Sequence, residues 1–408
     1  MSQSRRLPAL YCRNYRFFWV GQCVSLTGTC MQSVAQGWLV YSLTKSTLLL
    51  GLVAAAVSAP VFLFSVFGGA VADLADKRRL LLCTQGLSVI PALLLAYLTA
   101  SSRITVGWIA VLAMIQGSLN ALELPARQAY WSELLPKGYR ASGNSLNAVA
   151  FNASRILGPV LAGTIIASSG IAPCFALNAI SFMAGILSLL LIRGQTAVEP
   201  VSGQRGSVIS DIGEGLRFVA GERNVALVML LVAVISLFGI PFLPMLPVFA
   251  DNILKVGPRG LGYLSAASGV GSLLAALGLA WCGDVRKKGR LIAASGMLFA
   301  VCLFLFAHSE AYRASLLALV SIGAGMVVFL ACISCFLQHA CPDHLRGRVM
   351  GIYTFVLIGM APLGHSMMGL LASNLGVVSA LSCSAAVCGA AILLSARSLV
   401  QIARTEPS

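Results

Sequence analysis

The sequence predicts an all-α membrane protein: twelve transmembrane helices in two parallel six-helix repeats. Three observations carry this. Long apolar runs follow one another almost end to end along 408 residues, 58% of which are hydrophobic. Charged side chains make up 10% of the chain, against roughly 25% in soluble domains. The basic residues then gather on alternate sides of the runs. A helix needs about 20 apolar residues to cross a bilayer, whereas a barrel strand needs only about 10, so runs of this length read as helices.

Taken in order, the predicted spans of the first half are Phe17–Leu43, Thr47–Val71, Leu80–Ala100, Thr105–Ala129, Ser145–Ser168 and Ile171–Ile192. The second half supplies Val225–Ala250, Gly260–Trp281, Leu291–Ala307, Ala314–Leu337, Val349–Ala372 and Val377–Ala396. Arg5 and Arg6 before the first run mimic a signal peptide, but the run is too long and no cleavage-type site follows, so it reads as an uncleaved first helix. The twelve Cys are scattered mostly through the spans, which suits small buried side chains better than a disulfide framework.

The net charge of +15 is topological and does not point to nucleic acid. With both termini on one side, 22 of the 28 Lys and Arg fall on that side, counting Arg127 at the inner end of the fourth span, five on the other, and Arg155 alone lies deep inside a span. That asymmetry orients both termini to the cytoplasmic side of the membrane. The longest polar stretch, Arg193–Asn224, divides the chain into bundles 1–193 and 225–408, joined by a linker 194–224. Within the linker Ile209, Ile212, Leu216 and Val219 share a helical face, predicting a short amphipathic helix on the membrane surface. A shift of 206 residues superimposes Pro136 on Pro342, Arg140 on Arg346, Leu157 on Leu363, Gly158 on Gly364 and Gly163 on Gly369. The halves therefore read as a repeat.

The loop after the second span runs Gly68-Gly69-Ala70-Val71-Ala72-Asp73-Leu74-Ala75-Asp76-Lys77-Arg78-Arg79. Gly69 suits close helix contact, Asp73 can face the positive N-terminus of a neighbouring helix, and Lys77 and Arg78 can pair across a seam between halves. A degenerate copy, Gly283-Asp284-Val285-Arg286-Lys287-Lys288, follows the eighth span. The fifth span carries Arg155-Ile156-Leu157-Gly158-Pro159-Val160-Leu161-Ala162-Gly163. Its glycines permit close packing, and Pro159 removes a backbone hydrogen bond. Together these motifs resemble those of the major facilitator superfamily. Pro125-Ala126-Arg127-Gln128-Ala129, Leu246-Pro247-Val248-Phe249-Ala250 and Leu345-Arg346-Gly347-Arg348-Val349-Met350-Gly351 narrow the resemblance to the branch of the enterobactin exporter and the macrolide efflux proteins. The chain departs from the family at Leu74, usually basic, and at Ala113, where many proton-coupled relatives carry Arg. The resemblance implies export of a small amphipathic molecule, a siderophore or a drug, driven by protons.

The polar residues inside the spans form a candidate pathway of their own. Gln22, Ser25, Thr29, Gln32 and Gln36 make a stripe on the first helix; Gln116, Asn120, Glu123 and Arg127 make one on the fourth; Asn152 and Arg155 lie three apart on the fifth. Polar side chains at this depth face a bundle interior or water, so the stripes line a cavity or act as glue between helices. Glu123 is the one acidic residue well inside a span. It reads either as a proton carrier whose pKa Arg155 sets, or as a fixed partner of Arg127. In the second half, Tyr353 lines the same candidate cavity, with Thr354 beside it and Ser265, Ser268 and Ser272 on a face of the eighth helix. His365 reads as a titrating group or a structural one.

Pro241, Pro244 and Pro247 predict a kinked or partly unwound seventh helix. Cys332, Cys335 and His339 share a face, with Cys341 and His344 following, but ligand spacing on one membrane helix is weak, and no metal or other cofactor is expected. No Gly-Lys dipeptide, His-Glu-x-x-His or Gly-x-Ser-x-Gly occurs, so the usual signatures of ATP hydrolysis, metalloproteases and lipases are absent. The expectation is a monomeric secondary transporter and not an enzyme. An importer of the same fold, or a non-transporting sensor or assembly factor, would use the same helices.

Overall fold

The computed structural model describes residues 8–74, 76–192, 208–282 and 288–405; the side chains of 65–74, 137, 208–212 and 400–405 lie outside the described residues. Its spanning helices are α1 (Arg13–Thr44), α2 (Thr47–Leu74), α3 (Lys77–Ala100), α4 (Val106–Glu133), α5 (Arg140–Ser169) and α6 (Ala172–Leu190) in the first half. After α7 (Val208–Gly221) come α8 (Arg223–Ile253), α9 (Gly257–Cys282), α10 (Lys288–Ala307), α11 (Tyr312–Ala340), α12 (Asp343–Leu375) and α13 (Val377–Thr405). Among the described residues eleven of these are long and apolar enough to cross a membrane. The remaining predicted span, α1, has 32 residues, about 48 Å of helix. Gln22, Gln32, Gln36 and its Ser and Thr residues lower its mean hydropathy.

Local chemistry sets the ends. Lys45 closes α1 in the left-handed region, φ 51°, with its N–H bonded to the Tyr41 carbonyl. Asp76 opens α3 by accepting from the Arg78 and Arg79 amides, and the Thr105 hydroxyl caps α4 by accepting from the Trp108 amide. Each cap gives a partner to backbone groups that the helix cannot bond internally.

The chain forms two compact units that do not follow the halves of the sequence throughout. The first holds α1, α2 from Ala56 onward, α3 to α6, and the Gly257–Ala266 start of α9. The second holds the Ser46–Ala55 start of α2, α7, α8, α9 from Ala267 onward, and α10 to α13. Each unit thus includes one helix end from the other half.

Packing inside each unit repeats the same contacts. Gly158 lies on α1, where an added Cβ would come 2.6 Å from Cys30 Cβ and 2.9 Å from Met31 N. Gly364 lies on α8, where it would come 2.7 Å from the Leu237 carbonyl and 3.1 Å from that of Ser236. Ser236 and Leu237 follow Cys30 and Met31 by the same 206 residues that separate the glycines. Gly117 packs on Val57 of α2, and Gly323, 206 residues later, packs on Ser268 of α9. Here Val57 and Ser268 are 211 residues apart, as are Gly51 and Gly262, which meet Gly369 and Gly163 respectively. Five extra residues therefore lie between Leu237 and Gly262.

Those residues fall where α8 departs from α-helical winding. It widens to a π turn at Ile235–Gly239, tightens to 3₁₀ over Ile240–Met245, and widens again at Phe249–Ile253. Pro241, Pro244 and Pro247 cannot donate backbone bonds, and the changed winding takes up the missing bonds and the extra length. The helix predicted in the linker is present as α7. Gly215 faces Arg348 and Ile352 of α12, and Arg348 bonds the Glu214 carboxylate. Leu216 is exposed, whereas the Ile209 and Ile212 side chains lie outside the described residues.

Candidate functional site

The polar stripes of α1 and α4 meet inside the first unit. Glu123 is 4% exposed, and its Oε1 lies 3.7 Å from Arg127 Nη1 one turn later. The same nitrogen donates to Gln22 Oε1 of α1 at 3.2 Å. Two unit charges 4 Å apart attract by about 4 kcal/mol at an effective dielectric of 20. A single charge at mid-membrane costs about 2.5–3.5 kcal/mol on insertion scales. The attraction is comparable to the cost of burying Glu123 alone, and Arg127 keeps 21% of its side chain exposed. Gln116, further along α4, donates to Ser88 of α3 at 3.2 Å and to Asn120 at 3.3 Å.

The rest of the α1 stripe divides. Gln32 accepts from Asn178 of α6 at 2.7 Å, and Asn178 in turn accepts from Ser181; this is buried glue between helices. Thr29 bonds back to the Ser25 carbonyl, while Ser25 and Gln36 are buried. On α5, Asn152 donates to the Ala148 carbonyl of its own helix. Arg155, paired with Glu123 in one sequence reading, instead places its guanidinium 5.9 Å from the Phe151 ring centroid. The cation beside the Glu123 carboxylate in this structure is Arg127, one helical turn away on the same face.

Residues 6–407 match the sequence model of a family described as transmembrane secretion effectors. The chain belongs to that family of major facilitator transporters. Among similar proteins, the staphyloferrin A transporter of Staphylococcus aureus is 25% identical over 90% of this chain and 91% of its own. The multidrug efflux pump Tap of Mycolicibacterium fortuitum is 27% identical, covering 84% and 85%. The enterobactin exporter EntS of Shigella boydii is 22% identical, covering 96% and 94%. In fold, the D-xylose-proton symporter matches with TM-score 0.73 at 14% identity, covering 96% of this chain and 97% of its own. The nucleoside transporter NupG matches with TM-score 0.70 at 14% identity, covering 96% and 99%.

In this secretion effector the motif loop is used differently from the seam pairing expected of it. Lys77 Nζ lies 2.5 Å from Glu133 Oε1 at the end of α4. Arg78 donates to the Leu189 and Leu190 carbonyls at the end of α6, 3.1 and 3.3 Å away. Both partners lie in the first unit: a half-buried carboxylate at the end of α4 and carbonyls of the last turn of α6. Gly69 and Asp73 fall in the last turns of α2, and their side chains lie outside the described residues, as does most of the second copy, 283–287.

The Gly-Pro motif serves two crossings, Gly158 on α1 and Gly163 on Gly262 of α9, with the Pro159 carbonyl against Gly262. His365 bonds the backbone of Ala54 where Gly51 of α2 meets Gly369 of α12, a strut between two helices. Tyr353 is buried and donates to the Leu330 carbonyl at 3.4 Å. His339 Nδ1 lies 2.8 Å from the Cys335 carbonyl oxygen, and no group of three metal-ligating side chains occurs among the described residues.

Sequence reasoning missed Gln85. It is fully buried in α3, and neither of its amide atoms has a hydrogen-bond partner. Gln22 Nε2 and Gln116 Oε1 are likewise buried and unpartnered. A glutamine within Leu81–Ile90, one turn from the buried Ser88 and beside the buried Thr84, is a visible signal, since an amide in hydrocarbon demands a partner.

Proposed function

We propose that this transporter exports a small amphipathic molecule, a siderophore or a drug, from the bacterial cytoplasm by alternating access in exchange for protons. Glu123 carries the reading. It is a carboxyl group buried in a span and held by one cation at 3.7 Å, and that cation also reaches Gln22, whose amide nitrogen is buried and unpartnered. The names of the relatives, an efflux pump and a siderophore exporter among them, support the direction and the cargo class. Bundles 1–193 and 225–408 act as the two moving bodies, 194–224 tethers them, and both termini face the cytoplasm. One chain suffices.

The test is Glu123→Gln in proteoliposomes. Proton-driven transport is lost, whereas counterflow exchange of cargo without a gradient continues. Equal loss of both activities, or of neither, would mark Glu123 as a structural partner of Arg127 and remove the proton route.

A further inference from the structure

We infer that Arg155 is the docking cation for an anionic cargo: an organic molecule with a carboxylate beside an aromatic or apolar body. The inference rests on the transport reading above and narrows its substrate class. Its first support is a charge left over. The described carboxylates of the first unit are Asp76, Glu123 and Glu133, and each has a cation: Arg79, Arg127 and Lys77 respectively. Arg155 has no ion pair among the described residues; its described neighbours are the Phe151 ring and the Cys30 thiol. Intramembrane cations that persist usually have a partner or a task.

The second support is the face on which Arg155 sits. At 100° per residue, Asn144, Ser145, Ala148, Asn152 and Arg155 fall within one sector of α5. Asn144, Ser145 and Ala148 are exposed, and Asn152 and Arg155 are half-buried. Leu157 and Leu161, also exposed, point the opposite way and suit lipid. One helix therefore presents an apolar side to hydrocarbon and a polar side whose guanidinium has no carboxylate among the described residues.

The chemistry of the guanidinium selects the ligand. Its planar fork meets two carboxylate oxygens at once, a geometry that an ammonium group lacks. Phe151, exposed beside it, offers a ring face for the apolar part of the same molecule. A neutral or cationic cargo would leave the guanidinium uncompensated.

The test uses the full chain in nanodiscs of zwitterionic lipid, titrated with dansyl-phenylalanine and with its methyl ester. The wild type binds the acid roughly 10–100-fold more tightly than the ester, the range expected for charge-assisted hydrogen bonds. Arg155→Gln abolishes that preference and Arg155→Lys retains part of it, with both variants monodisperse on size exclusion. Absence of an acid preference in the wild type, or its persistence in Arg155→Gln, overturns the inference. Loss of acid binding on adding anionic lipid also overturns it, by assigning the guanidinium to a lipid phosphate. Proton-driven transport of both probes at equal rates would leave the export reading standing while removing this one. Arg155-dependent binding without driven transport would do the reverse.

Discussion

A Cβ built on Gly163 would lie 2.5 Å from the Pro258 carbonyl oxygen and 3.0 Å from Gly262 Cα, both backbone atoms that cannot turn aside. Gly163→Ala must therefore push α5 from α9, and overpacking of this kind costs about 1–3 kcal/mol. The control is Gly86→Ala in α3, where nothing lies within 4 Å of the added atom. That change stabilises by about 0.5–1 kcal/mol through helix propensity. Unfolding midpoints in detergent should move in opposite directions for the two. The pair Lys77–Glu133 belongs to the same scale. Its side chains are 13% and 18% exposed, between the surface and buried regimes. A double-mutant cycle with Lys77→Met and Glu133→Gln should return a coupling of about 1 kcal/mol; a value near zero would mean the contact is incidental.

At the scale of one helix, α8 is where the second half departs from the first. Pro244 lies inside its 3₁₀ stretch, where it removes a donor that a regular helix would use. Pro244→Ala allows that bond to form, and deuterium exchange over Ile240–Val248 should slow. Unchanged exchange would attribute the irregular winding to tertiary packing and not to the prolines. Helix α7 depends on few contacts, with Glu214 against Arg348 and Gly215 against Ile352 chief among those described. Glu214→Gln weakens the first and Gly215→Leu blocks the second, so proteolysis within Val208–Gly221 should quicken for both variants.

For the molecule as a whole, the decisive fact is that compact units and sequence halves exchange helix ends. The Gly257–Ala266 segment belongs with α5, and Ser46–Ala55 belongs with α12. A chain cut in the linker should yield fragments 1–200 and 201–408 that co-purify when expressed together. Fragment 1–200 alone lacks the Gly262 contact of Gly163 and should be recovered mainly as aggregate. Recovery of a monodisperse 1–200 fragment would show that its own six helices hold without that end.

Span number, repeat and family were legible in the amino-acid order because each rests on local chemistry. Apolar runs of bilayer length form helices wherever they occur, and Gly158 and Gly364 share a motif before anything folds. Even the unwinding of α8 is written in three prolines. The partners of charged side chains were not legible. Glu123 had Arg127 and Arg155 within reach of a helical reading, and only the fold shows Arg127 at 3.7 Å with Arg155 set beside Phe151. The same holds for Lys77 and Arg78, drawn to Glu133 and the end of α6. It holds for His365, whose bond to Ala54 joins residues 311 positions apart. Hydropathy and periodicity act along the chain, whereas ion pairs and buried amides choose among neighbours that the chain brings together only on folding.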